Sequence, residues 1–146
     1  MEEVLAYLFL RMVGIIAPEE YQSKLDEAFI ADGENEILLE LELNDDIWHA
    51  IALIEEQIDW NSFDCEAFGK VLMSLIENRY FKCSDIKKFA KKTYSLWGML
   101  PSFISTEDPF RMLSYADEPL SWGDEEQSRK IYRKMFDFYR TKREKP

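Results

Sequence analysis

Apolar positions recur every three to four residues along most of the chain, and the elements this period predicts are helices. The first runs from Glu2 to about Ile16, with Glu2 and Glu3 at the end where the helix dipole favours negative charge. Pro18 suits a first helical position, Tyr21, Leu25, Ala28 and Phe29 follow at helical spacing, and Gly33 is a natural stop. Ile37, Leu39, Leu41 and Leu43 alternate as a strand would. Their segment, Glu36 to Leu43, is nevertheless built of Leu and Glu with one β-branched residue, so it reads as a short helix. Asn44 or Asp45 can cap the next helix, where Ile47, Ala50, Ile51, Ile54 and Ile58 keep the period.

Asn61 or Ser62 opens a fifth helix with Ala67, Val71, Leu72, Leu75 and Ile76 on one face. Ser84 is the expected cap of the clearest amphipathic segment, whose apolar stripe is Ile86, Phe89, Ala90, Thr93, Tyr94 and Trp97. Lys87, Lys88, Lys91 and Lys92 occupy its other face. Between Gly98 and Gly123 the pattern weakens, punctuated by Pro101, Pro109 and Pro119; Asp108–Pro109 starts at most one short helix reaching Tyr115. Ser121 and Asp124 resemble a capping box for a last helix to about Lys142, with Ile131, Met135, Phe138 and Tyr139 inward. The reading is an all-α fold: residues 1–146 as one domain, a helical bundle or stacked helical hairpins of about six helices. A long irregular connection is expected near residues 98–123.

Composition narrows the class. The chain has 146 residues, 47% of them apolar and 21 aromatic, which excludes a disordered segment. Two cysteines cannot staple a scaffold, and Cys65 and Cys83 lack the spacing of a redox or zinc motif, so reduced cysteines in a cytoplasmic protein are expected. The apolar run from Val4 to Ala17 begins with two glutamates, contains Arg11 and is too short to span a bilayer, so it reads as a core helix, with no membrane role.

Charge changes the picture more. The net value of −11 is unevenly spread. Residues 1–66 hold 18 acidic side chains against two basic ones, Arg11 and Lys24, a net of −16; the remainder has 11 against 16, a net of +5. The halves either attract one another or present faces of opposite sign. A cluster of that density implies a basic surface, on this chain or another, because self-repulsion opposes compaction.

Catalytic chemistry finds little support. His49 is the only histidine; it stands four residues after Asp45, but no EF-hand or HExxH pattern accompanies it. Adjacent carboxylates such as Glu19–Glu20 and Glu55–Glu56 point about 100° apart on a helix and do not converge. The glycines are dispersed, so no phosphate-cradling loop exists, and no nucleophile motif occurs. No catalytic residue, metal ligand or cofactor is nominated.

Three features can carry binding. The acidic run contributes Glu34, Glu36, Glu40, Glu42, Asp45, Asp46, Glu55 and Glu56, which would steer a basic protein partner. The segment 98–123 holds Phe103, Phe110, Tyr115 and Trp122, and aromatic side chains are favoured interface anchors. The lysine face at Lys87–Lys92 could meet phosphate, although net acidity disfavours nucleic acid. In charge balance and lack of catalytic signatures the chain is similar to bacterial immunity proteins, which mask the site of a toxin; no motif carries that similarity and no residue transfers from it. The expected function is a non-catalytic acidic binding protein for a basic partner such as a toxin domain. The alternatives are an enzyme or metal-dependent protein using acidic residues with His49, and a nucleic-acid module using the lysine face. No pattern fixes an oligomeric state.

Overall fold

The computed structural model describes residues 1–144, with side chains as far as residue 140. Among the described residues every regular element is helical, as the 3.6-residue period requires. The order is α1 (Glu2–Met12), α2 (Pro18–Ala31), α3 (Glu36–Leu43), α4 (Ile47–Gln57), α5 (Cys65–Lys82), α6 (Ile86–Met99), α7 (Ser102–Ser105), the 3-10 helices η1 (Phe110–Ser114) and η2 (Glu118–Trp122), and α8 (Glu125–Glu144). These are more elements than the expected total of about six: within the segment read as irregular, η1 lies where Asp108–Pro109 pointed to one short helix, and α7 and η2 are additional. No helix is long and apolar enough to cross a membrane among the described residues.

The chain forms two compact units, Met1–Phe68 and Gly69–Pro146. Their boundary falls within two residues of the charge reversal, so the first unit carries all 18 acidic residues of the front segment with only Arg11 and Lys24 as cations.

In the first unit α1 packs on α2 and α4, and α3 bridges α2 and α4. Val4, Leu5, Ala6, Leu8, Phe9 and Leu10 of α1 are all buried, which explains why its sequence is apolar nearly all round. The helix stops four residues before the apolar run suggests. Gly14 takes a left-handed φ of 78°, its N–H bonds to Arg11 O at 3.0 Å, and Ile15 N–H reaches Leu10 O at 2.9 Å. That pair of bonds is a Schellman ending, which needs a residue free of a Cβ penalty at Gly14. Ile15 and Ile16 then fold back into the core.

The second unit holds the aromatic core. Tyr80 of α5 and Tyr132 of α8 are in ring contact with one another and each with Phe89 of α6 and Phe136 of α8. Gly69 lies where a side chain would meet Tyr139 and Phe110. The buried stripe of α6 is Ile86, Phe89, Ala90, Thr93 and Leu96; Tyr94, expected inside, is half exposed, and Trp97 is partly buried with its Nε1–H bonded to Ser105 O at 3.0 Å. On α8 the stripe is Ser128, Tyr132, Met135, Phe136 and Tyr139; Met135 and Tyr139 are inward as expected, whereas Ile131 and Phe138 sit at its margin and Tyr132 and Phe136 take the core.

Helix starts correct the sequence reading by one to three residues. Asp46, not Asn44 or Asp45, caps α4 by accepting from Trp48 N–H at 3.0 Å, while Asn44 Oδ1 accepts from Asp46 N–H at 2.8 Å. Asp85 rather than Ser84 caps α6, accepting from Lys87 and Lys88 N–H. Asp64 Oδ1 accepts from Ala67 N–H at the start of α5, and Asn61 and Ser62 belong to a turn closed on Asp59. At α8 Asp124 caps by accepting from Gln127 N–H, whereas Ser121 gives its proton to Glu118 O.

Candidate protein-binding surface

The acidic residues singled out in the sequence gather on α3, α4 and the turns beside them. Asn35 opens α3, its Oδ1 accepting from Ile37 and Leu38 N–H at 3.0 and 3.2 Å. Leu38 and Leu41 face the core, Ile37 and Glu42 are half-buried beside them, and the remaining residues of the helix are outward. Glu36 and Glu40 are exposed at i, i+4, where like charges repel, and Leu39 and Leu43 are exposed beside them. On α4, Ala50, Leu53 and Ile54 turn inward and Trp48, His49, Glu55 and Glu56 outward. Glu34, Asp45 and Asp46 are exposed in the connecting turns.

Glu42 departs from this group. It is half-buried against α2: Gln22 Nε2 donates to Glu42 Oε2 at 3.1 Å and to Asp26 Oδ1 at 2.8 Å. Burial and the neighbouring Asp26 carboxylate push the Glu42 carboxyl up, while the Gln22 hydrogen bond holds Asp26 down. Glu42 therefore joins α2 to α3 rather than presenting a free charge. Asp46 serves both ends, since capping uses one oxygen of an exposed carboxylate.

Within the first unit the two cations are engaged elsewhere. Lys24 is held by Glu3 at 2.8 Å and Glu27 at 3.3 Å, and Arg11 lies over the Tyr21 ring. Among the described residues no ion pair reaches Glu34, Glu36, Glu40, Asp45, Asp46, Glu55 or Glu56. Moreover α2, α3 and α4 all end without a basic residue in the last turn. Glu55 and Glu56 sit at the α4 C-terminus, where the helix dipole disfavours negative charge by roughly 0.3–1 kcal/mol each. Folding alone gives no reason to keep them there.

The sequence reading missed the apolar members of this surface. Leu43 is 77% exposed and Trp48 is 71% exposed, close in chain on either side of the α3–α4 turn. Exposed apolar side chains that form a continuous patch rimmed by charge mark interaction surfaces, and Leu43 and Trp48 are the candidates for one here. The available signal was the helical wheel: with Leu38 and Leu41 inward, Leu39 and Leu43 have no place in the core.

The aromatic candidates lie in the second unit and divide. Phe103 on α7 and Trp122 at the end of η2 are exposed, and Tyr115 is half-buried. Phe110 is a correction: it is 3% exposed, in the core near Gly69 and Tyr139, and offers nothing to a partner. The lysines of α6 are exposed at Lys87, Lys88 and Lys91, with Lys92 half-buried. His49 is exposed, and no three His, Cys, Asp or Glu side chains converge on a metal-sized site among the described residues. Comparison of the chain with known protein families, with curated proteins and with solved structures finds no match.

Proposed function

We propose that the chain is a non-catalytic binding protein whose α3–α4 surface engages a basic protein partner, neutralising it as an immunity-type inhibitor neutralises a toxin. The observation that carries this reading is the exposure of Leu43 and Trp48 in the same segment as carboxylates that no ion pair reaches among the described residues. The two components have separate tasks. Unpaired charge of one sign acts over a Debye length of about 8 Å and accelerates encounter. A desolvated Trp or Leu at the centre of an interface holds the complex once formed. A cytoplasmic setting is part of the proposal, supported by two free cysteines, Cys65 and Cys83, in place of a disulfide.

The test begins with the partner recovered from the native host and proceeds to association and dissociation rates across salt. Glu36→Lys with Glu40→Lys is expected to lower the association rate about tenfold at low salt and to remove most of its salt dependence. Trp48→Ala is expected to raise the dissociation rate about tenfold with little change in association. Binding indifferent to both sets of changes would overturn the assignment.

A further inference from the structure

The second unit carries an open, shallow cavity of about 360 Å³ between α6 and η2. Its lining separates by chemistry. Lys87 and Lys91, one turn apart on α6, supply ammonium donors, and neither has an ion-pair partner among the described residues. Asp117 and Ser121 supply acceptors from η2 and the residue before it. Ser121 gives its one hydroxyl proton to Glu118 O at 2.7 Å, which leaves Oγ able only to accept. Asp117 is anchored from behind: Ser128 Oγ on α8 donates to the carbonyl of the preceding Ala116 at 2.6 Å, and Leu120 N–H bonds to Asp117 O at 3.0 Å. Its Oδ1 is closed off from solvent with no hydrogen-bond partner among the described residues, so the carboxylate meets the cavity through Oδ2. Ala90 and Leu120 form an apolar strip in the same wall.

Opposite charges that face one cavity without pairing constrain the ligand. A simple anion drawn to Lys87 and Lys91 meets repulsion from Asp117, and a simple cation meets the reverse. A molecule with both signs, joined by a short aliphatic spacer, satisfies each wall and covers the strip. The volume is at the small end of ligand sites, enough for a compact metabolite and too little for a dinucleotide. We propose that this cavity binds a small zwitterion, its phosphate or carboxylate on Lys87 and Lys91 and its ammonium on Asp117 and Ser121. This site is independent of the α3–α4 surface.

The test is an NMR titration of the isotopically labelled full chain. The probes are two zwitterions, O-phosphoethanolamine and 4-aminobutanoate, and their halves, inorganic phosphate, acetate and ethanolamine. At least one zwitterion is expected to bind about tenfold or more tightly than either of its halves, shifting the amides of residues 87–91 and 117–121. Which one does so distinguishes a phosphate head from a carboxylate. Lys87→Gln with Lys91→Gln is expected to abolish binding. Asp117→Asn is expected to weaken the zwitterion at least about fivefold while leaving phosphate equal or tighter; no side-chain cap bond is lost in that variant. Halves that bind as well as the zwitterions, or no shift at those amides at about 10 mM probe, would overturn the proposal. So would an Asp117→Asn variant that binds the zwitterions more tightly, or a single-stranded oligonucleotide that shifts the same amides and displaces the probe, since a polyanion face would gain from losing the carboxylate.

Discussion

Thr93 on α6 and Tyr132 on α8 are both fully buried, with hydroxyl oxygens 2.7 Å apart. Thr93 has a single hydroxyl proton and directs it to Ala90 O at 3.0 Å, so the Tyr132 hydroxyl is the donor in the pair. This polarity sets an asymmetry. Thr93→Val keeps the shape but leaves the Tyr132 O–H buried without an acceptor, which costs about 2 kcal/mol. Ala90 O loses little, because the helix already supplies it with an N–H donor. Tyr132→Phe removes the donor and leaves Thr93 bonded to Ala90; the ring contacts with Tyr80 and Phe89 remain, so the expected loss is about 1 kcal/mol. The double variant buries no unpaired donor and should lie near Tyr132→Phe alone, an interaction term of about 2 kcal/mol. Equilibrium urea unfolding of the four proteins, followed by far-UV circular dichroism, measures each. Additive losses, or a larger loss for Tyr132→Phe than for Thr93→Val, would refute the donor assignment.

Alkaline pH should unfold the chain through its buried phenols. Burial pushes Tyr21 up to about 12, opposed by Arg11 and reinforced by Glu42, and burial raises Tyr132 in the same direction. Below pH 10 these two phenols are protonated in both states and their contribution is intact; between about 10 and 12 the unfolded chain ionises first, and about 3 kcal/mol attributable to Tyr21 is lost. Urea midpoints measured from pH 9 to 12 should fall less steeply in Tyr21→Phe, and an unchanged slope would contradict this. Gly69→Ala should destabilise despite its better helix propensity, because the added Cβ would lie 2.6 Å from Tyr139 Cζ and 2.9 Å from Phe110 Cζ, besides meeting Tyr139 Oη. Overpacking of about 2 kcal/mol less a helix gain of about 1 leaves a net loss of about 1 kcal/mol, read from the urea midpoint. Asp85→Ala should cost about 1 kcal/mol through its two lost cap bonds and Ser84→Ala almost nothing, which the same unfolding curves compare.

Helix type was legible wherever one face of a long element had to be apolar. Even α3 emerged with its bounds, because the Leu and Glu content of Glu36–Leu43 outweighs a strand-like alternation. Caps were harder. Asn44, Asp45 and Asp46 all have capping side chains, as do Ser84 and Asp85; which one closes the helix depends on the direction of chain entry, a property of the surrounding packing. The short helices were only partly legible: Asp108–Pro109 pointed to η1, whereas α7 and η2 went unread. In a single turn too few residues fall on one face to establish a period, so Phe110 in the core and Trp122 in solvent looked alike.

By itself, the sequence determined the all-α class, the run of long helices and the sharp change of charge near residue 66, because local propensity and composition act without reference to distant residues. Only the tertiary structure decided which leucines of α3 remain outside, that Glu42 turns to α2, and that Lys87, Lys91 and Asp117 line one cavity. Each depends on which neighbouring elements fill the space beside a residue. A helix offers several apolar or charged positions of equal local merit, and packing chooses among them.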